Sequence, residues 1–262
     1  MITIENEDFD IKKIADSGQC FRLNQRDGYW INIAQNKVLK IKDSTLHCSR
    51  TDFKRFWSPY FDLESDYSAY RGQIPKSDEF LTKSADFGKG IRILKQDPWE
   101  MLITFIISQR KNIPAIKASV ESLCEKYGET IDYADERLYA FPTVSRLAAA
   151  TEDELKACSL GYRVSYIIDA ARQVDSGRLD LNAIAAQSDE ELFESLMSVK
   201  GVGIKVASCV ALFAYHRIDS FPIDVWIGRV LDEYYKDGFP FERYSGFKGI
   251  MQQYMFYYIR NR

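Results

Sequence analysis

No stretch of this sequence approaches the roughly 18 apolar residues in a row that a membrane-spanning helix needs. Its start, MITIENEDFDIKKIADSG, places acids before the lysines and has no apolar segment of the kind a secretory leader carries. A soluble, cytoplasmic chain is therefore expected. Histidine is scarce: His47 and His216 stand alone. The five cysteines, Cys20, Cys48, Cys124, Cys158 and Cys209, are odd in number, and no two have a metal-knuckle spacing. Structural disulfides, a thiolate zinc site and an iron–sulfur cluster thus have no support, and neither metal nor cofactor is expected. Gly 14 and Pro 7 are too few for a collagen-like or low-complexity chain. Basic charge is not in excess either, since 35 Lys and Arg face 38 Asp and Glu for a net of −3.

What is present is a globular composition: 262 residues, 46% hydrophobic, 14% aromatic and 28% charged. That length suits one large domain or two small ones. The charge is uneven. Residues 127–195 hold 14 acidic and 6 basic residues, so the flanking segments are mildly basic and leave room for a local anion-binding face. Up to residue 50 the pattern is of short strands. Tyr29–Ile33 follows the turn signal Asp27-Gly28, Val38–Ile41 follows Gln35-Asn36, and Leu46–Cys48 follows Asp43-Ser44, which predicts an antiparallel meander. Helical patches are expected around residues 53–56 and 79–87. From Asp97-Pro98 the period becomes helical, with Trp99, Leu102, Phe105 and Ile106 on one face. Further helices are expected near 113–127, 135–140, 151–158, 163–176, 189–197, 204–215, 224–236 and 245–260. The expected architecture is an α+β N-terminal antiparallel-sheet domain, residues 1–95, followed by an all-α domain, residues 96–262.

The most informative stretch runs from Leu196 through Lys200-Gly201-Val202-Gly203 to Cys209, and on to Phe221-Pro222-Ile223-Asp224-Val225-Trp226. One helix ends near Val199, a tight hairpin follows, and a second helix begins near Ile204. Successive amides of such a turn, with the N-terminus of the second helix, form a cradle that suits a phosphate. A packing corner that uses its glycines only for close approach fits the spacing equally well. Lys205 falls in the first turn of the second helix, where the macrodipole disfavours a cation. Its amine is a candidate nucleophile, with a solvent-facing lysine or a phosphate contact as alternatives. Asp224 is placed to cap the next helix, and its charge can also stabilise a cationic substrate.

The run from Leu196 to Trp226 resembles the helix-hairpin-helix plus Gly/Pro/Asp signature of base-excision DNA glycosylases. Residues 96–109 (QDPWEMLITFIISQ), 160–163 (LGYR), 17–22 (SGQCFR) and 251–258 (MQQYMFYY) are similar, in the same order, to segments of the 8-oxoguanine DNA glycosylase/AP lyase family. The second domain is then a helix-hairpin-helix DNA glycosylase domain. Lysine at 205 implies a bifunctional glycosylase/lyase, and the lack of any cysteine after Cys209 sets the chain apart from members with a C-terminal iron–sulfur loop. The resemblance implies double-stranded DNA containing 8-oxoguanine as partner, a monomer, and association with the nucleoid in a bacterium.

It also implies roles. Lys205 attacks the sugar C1′ of a flipped-out nucleotide, and Asp224 stabilises the oxocarbenium-like transition state. Gly18 brings a carbonyl to the N7–H that distinguishes 8-oxoguanine from guanine; a plain turn glycine is the other reading. Cys209, one helical turn after Lys205, lines the base pocket with partial thiolate character or is simply a buried small residue. Phe256 stacks on the base and Gln252 bonds its Watson–Crick edge, unless that aromatic run is ordinary core. Lys200, Gly201, Gly203, Arg110 and Trp226 lie on the DNA side. Tyr162 and Arg163 form a wedge that holds the opposite base, or else an ordinary surface turn. One departure stands out: Ala115 occupies the place where eukaryotic-type members have an opposite-base-reading arginine. A non-catalytic DNA-binding module and a glycosylase for other oxidised or alkylated bases remain open alternatives.

Overall fold

A computed structural model describes residues 1–133 and 136–262. The chain opens with β1 (Ile2–Thr3) and α1 (Ile11–Asp16), whose N-cap Asp10 accepts from the Lys13 amide. The expected meander follows as β2 (Leu23–Arg26), β3 (Tyr29–Ala34), β4 (Lys37–Lys42) and β5 (Thr45–His47). These strands form a five-stranded antiparallel sheet in the order β1-β5-β4-β3-β2. Asp27 and Asp43 in the tight turns take positive φ, 48° and 52°, as the Asp-Gly and Asp-Ser turn signals require. One face of the sheet buries Leu23, Leu39, Ile41 and Leu46 against Ile14, Trp57 and Phe61.

Short helices α2 (Arg50–Asp52) and α3 (Ser58–Tyr60) flank a π-helical turn, Phe53–Trp57, and α4 (Tyr67–Gly72) and α5 (Glu79–Gly88) follow. Tyr67, Phe80, Leu81 and Ala85 join the larger core that the later helices build, although they precede residue 95 in the chain. Phe80 stacks on Tyr234 at 3.9 Å between ring centroids.

The helical part begins with α6 (Pro98–Ser108), capped by Asp97, and α7 (Ile113–Tyr127), capped by Asn112. Of the helix expected over 135–140, residues Glu136–Tyr139 are instead a strand. Strands β6 (Thr130–Tyr133) and β7 (Glu136–Tyr139) pair antiparallel, and residue 135 of the expected helix lies outside the described residues. Ile131, Tyr133 and Leu138 cover the outer face of the sheet at Ile31 and Ile33, so cross-domain packing overrides the local pattern. The second domain is therefore helical with one pair of strands.

Then come α8 (Val144–Ala148), α9 (Glu152–Lys156), α10 (Val164–Asp175), α11 (Asp189–Met197), α12 (Ile204–Phe213), α13 (Val225–Tyr234) and α14 (Lys248–Asn261). Capping boxes at Thr151/Glu154 and Ser188/Glu191 start α9 and α11. Helix α12 is buried from Val206 to Phe213, and Phe213 stacks on Phe105 of α6 at 5.5 Å. The N-terminus of α12 lies at the protein surface, with Ile204 63% exposed, and Lys205 there shares a pocket with Phe105 of α6 and Gln252 and Phe256 of α14. No helix of the described residues is long and apolar enough to cross a membrane.

Candidate active site

The hairpin between α11 and α12 needs glycine at one position for a steric reason. Gly201 has φ +81°, and a Cβ there would lie 2.2 Å from the Tyr166 ring. Asp169 of α10 accepts from the Lys200 amide at 3.1 Å and holds the hairpin from the other side. Gly203 differs: its backbone is extended and a Cβ would meet nothing within 4 Å. It is the N-cap of α12 and brings no side-chain cap, which leaves the first amides of that helix for an outside acceptor. Lys200 is exposed beside it.

Behind this turn the chain forms a small pocket open to solvent. Lys205, Cys209, Asp224, Gly18, Gln252 and Phe256 all line it, so six candidate residues from four distant segments converge. Half-buried Lys205 carries its Nζ over the Phe105 ring, 5.5 Å from the centroid. Asp224 caps α13 with Oδ1, which accepts from the Trp226 and Ile227 amides at 3.0 and 2.9 Å. Its Oδ2 has no hydrogen-bond partner among the described residues, and so keeps a charged face for the pocket.

The pocket's far wall is α14. Gln252 donates through Nε2 to the Pro222 carbonyl at 3.0 Å, while its Oε1 is buried without a partner. An unpaired buried acceptor costs free energy, so this oxygen is poised to accept from a ligand that enters the pocket. Gly18 has φ +76°, and a Cβ there would stand 3.0 Å from Phe256 and 3.3 Å from Ile113. Two buried glutamines hold its loop. Gln253 donates to the Ser17 carbonyl, and Gln19 bonds Ser17 Oγ, the Arg92 carbonyl and the Leu94 amide. Sequence reasoning passed over Gln253, Phe105, Phe213 and Pro222 in the pocket, because only the meeting of α6, α12 and α14 brings them there.

Two expectations need correction. The partial thiolate character expected of Cys209 finds no support: burial pushes its thiol up, and neighbouring Lys205 offsets this only in part. Arg163 is not a free wedge at the surface. It is 5% exposed, and its guanidinium donates to the carbonyls of Gln109 and Leu160 while lying over the Tyr162 ring. Tyr162 itself is 50% exposed, and Arg110 is exposed with φ 52°. Trp226 is 39% exposed, and Ile204, Ile223 and Val225, sequence neighbours of Lys205 and Asp224, are exposed apolar residues too. Among the described residues no group of three or more His, Cys, Asp or Glu side chains is placed to hold a metal.

Known proteins share both parts of the chain. Residues 1–102 match the family of the 8-oxoguanine DNA glycosylase N-terminal domain, and residues 103–237 match the HhH-GPD superfamily of base excision DNA repair proteins. An N-glycosylase/DNA lyase of Saccharomyces cerevisiae is 39% identical over 244 residues, which is 86% of this chain and 64% of that protein. A probable N-glycosylase/DNA lyase of Methanothermobacter thermautotrophicus is 27% identical over 192 residues, 66% of this chain and 59% of that one. The chain thus spans somewhat less than two thirds of the length of these curated relatives. Among solved structures, the 8-oxoguanine glycosylase/lyase of Clostridium acetobutylicum, in complex with double-stranded DNA containing cytosine opposite 8-oxoguanine, superposes with a TM-score of 0.91. It is 37% identical, with 97% of this chain and 92% of that chain covered.

Proposed function

Since this chain belongs to the HhH-GPD superfamily of base excision DNA repair proteins and opens with the N-terminal domain of its 8-oxoguanine glycosylase branch, we propose that it is a bifunctional glycosylase/lyase that excises 8-oxoguanine from double-stranded DNA. The observation that carries this reading is the single pocket in which an amine (Lys205), a helix-capping carboxylate with one free oxygen (Asp224) and an unpaired buried acceptor (Gln252 Oε1) meet. A non-catalytic DNA-binding module has no use for that combination.

The chemistry follows from the groups. A target base stacked in a duplex is out of reach, so the nucleotide must be turned out into the pocket. There Phe256 offers a stacking face and Gln252 an acceptor for the base edge, and the carbonyl beside Gly18 accepts from an N7–H that guanine lacks. The Lys205 nitrogen bonds to C1′ as the C1′–N9 bond breaks, and the bonding pair leaves with the base, which takes up a proton. The Asp224 carboxylate offsets positive charge developing on the sugar. Ring opening gives a C1′ Schiff base. Loss of a C2′ proton then expels the 3′ phosphate, and hydrolysis returns the lysine. The uncapped amides of α12, with Lys200 beside them, hold a backbone phosphate. Borohydride should trap the protein covalently on a duplex carrying 8-oxoguanine and not on an undamaged duplex; no trapping and no base release would sink the proposal.

Gly18→Ala should separate the two half-reactions. Its Cβ would press on Phe256, and its φ of +76° strains any residue with a side chain. That strain, roughly 1–2 kcal/mol, falls on the stability of the fold, whereas crowding of the stacking face acts on base binding and should slow excision about tenfold if it raises the barrier by roughly 1.4 kcal/mol. Cleavage at a preformed abasic site needs no base in the pocket and should stay within about twofold of wild type, taking that crowding as the only defect. Equal loss on both substrates would move Gly18 out of the base pocket.

Ala115 bears on the opposite strand. It has no side-chain donor, and neighbouring Asn112 spends its Oδ1 on the Ala115 amide at 2.9 Å. A missing charged hydrogen bond is worth roughly 1.5–3 kcal/mol, about ten- to a hundredfold in selectivity. Single-turnover rates on four duplexes differing only in the base opposite the lesion should therefore keep only a modest preference for cytosine, below about a hundredfold. A cytosine preference of about a thousandfold, well beyond that range, would place the reading on Arg110.

A further inference from the structure

Two surface turns meet through side-chain-to-backbone hydrogen bonds. Residues 109–112 join α6 to α7, and residues 159–163 lead into α10. Both hold residues in the left-handed region: Arg110 at φ 52°, Ser159 at 55° and Gly161 at 58°. For Arg110 and Ser159 that conformation is unfavourable and persists only if surrounding contacts enforce it. Those contacts run both ways. From the second turn, Arg163 donates to the Gln109 carbonyl in the first. From the first, Lys111 donates to the Ser159 carbonyl at 2.6 Å and to Ser119 Oγ at 2.5 Å. Burial first, and then the nearby charge of Arg163, pushes the Lys111 ammonium down, so the two cations are held together against their repulsion.

We propose that Lys111 and Arg163 form a reciprocal clasp that locks the two turns into one wedge, and that Lys111 is thereby a positioning residue for the free side chains Arg110 and Tyr162. The inference rests on the glycosylase reading above. A wedge that enters a duplex must not yield when the displaced strand pushes back, and two charge-assisted bonds between backbone segments give it that stiffness. The clasp also divides the labour between the two arginines. Arg163 is committed to Gln109 and Arg110 is the guanidinium left exposed, so the modest discrimination of the opposite base that remains falls to Arg110, held in place through Lys111.

The test uses the full chain with Lys111→Met, assayed well below its melting temperature. Single-turnover excision of 8-oxoguanine should fall about tenfold or more, as expected for a lost charged hydrogen bond. The rates with the four opposite bases should converge, which a simple loss of stability would not cause. The slope of log K against log salt for DNA binding should stay unchanged. A slope smaller by about one, with equal weakening on damaged and undamaged DNA, would make Lys111 a phosphate contact and overturn the clasp. So would a wild-type rate in the variant. The double variant Lys111→Met/Arg163→Met should be little worse than the more impaired single one, because either change opens the same clasp; additive losses would count against it. If wild type itself fails to release 8-oxoguanine, the glycosylase reading fails, a result distinct from an active wild type with an unaffected Lys111→Met.

Discussion

Lys205→Gln is expected to abolish both base release and strand cleavage while DNA binding survives. Glutamine keeps most of the side chain's length and polarity but has no nucleophilic amine, and the proposed route has no other nitrogen to form the C1′ bond. Among the described residues, Lys205 is the lysine that lines the pocket. The structural cost is small, since among the described residues the side chain is half-buried, makes no hydrogen bond to backbone, and lies over Phe105 at 5.5 Å. A cation–π contact of that kind contributes roughly 0.5–1 kcal/mol. Binding should persist because the phosphate cradle is made of backbone amides at Gly203 and the start of α12, which the substitution leaves in place. Borohydride trapping on 8-oxoguanine duplex is the decisive measurement. Complete loss of trapping with a retained mobility shift supports the assignment; undiminished trapping would remove Lys205 from the chemistry.

How much of this site could be read from the sequence depends on how local its determinants are. The hairpin at 200–203, the capping role of Asp224 and the Lys205–Cys209 spacing are set within a few residues, and the helices α11 to α13 fall close to where periodicity and turn residues put them. Arg163 turned inward for a reason that lies 54 residues away, at the Gln109 carbonyl. Gln253 was passed over because its partner, the Ser17 carbonyl, is 236 residues distant, yet it is what fixes the Gly18 loop against α14. Strand β7 falls where a helix over 135–140 is expected, because the sheet residues Ile31 and Ile33 that reward a strand there are not in the local window. Cys209 has both a lysine neighbour, visible in the spacing, and full burial, which is not; burial has the larger effect on the thiol.

Asp224→Asn should slow excision by about two to three orders of magnitude, the usual cost of removing one preorganised electrostatic partner of a developing charge, and leave the fold nearly intact. The two functions of the side chain fall on different oxygens. Oδ1 takes both cap bonds, from Trp226 and Ile227, and an asparagine Oδ1 accepts them equally well. Only the charge is lost. Part of it favours the N-terminus of α13, worth roughly 0.3–1 kcal/mol through the helix dipole. Part acts on Arg260, a partly buried guanidinium that burial pushes down and Asp224 supports. These contributions shift the melting temperature by a few degrees at most for a chain of this size, whereas a transition state with positive charge on the sugar loses its only carboxylate among the pocket residues described. Single-turnover rates and thermal melts of the same preparation separate the two. A large fall in rate with a small shift in melting assigns Asp224 to the chemistry; Asp224→Ala, which removes the cap as well, should lose a further ~1 kcal/mol of stability. A melting temperature that collapses in Asp224→Asn, with activity recovered on cooling, would make the aspartate a helix cap and nothing more.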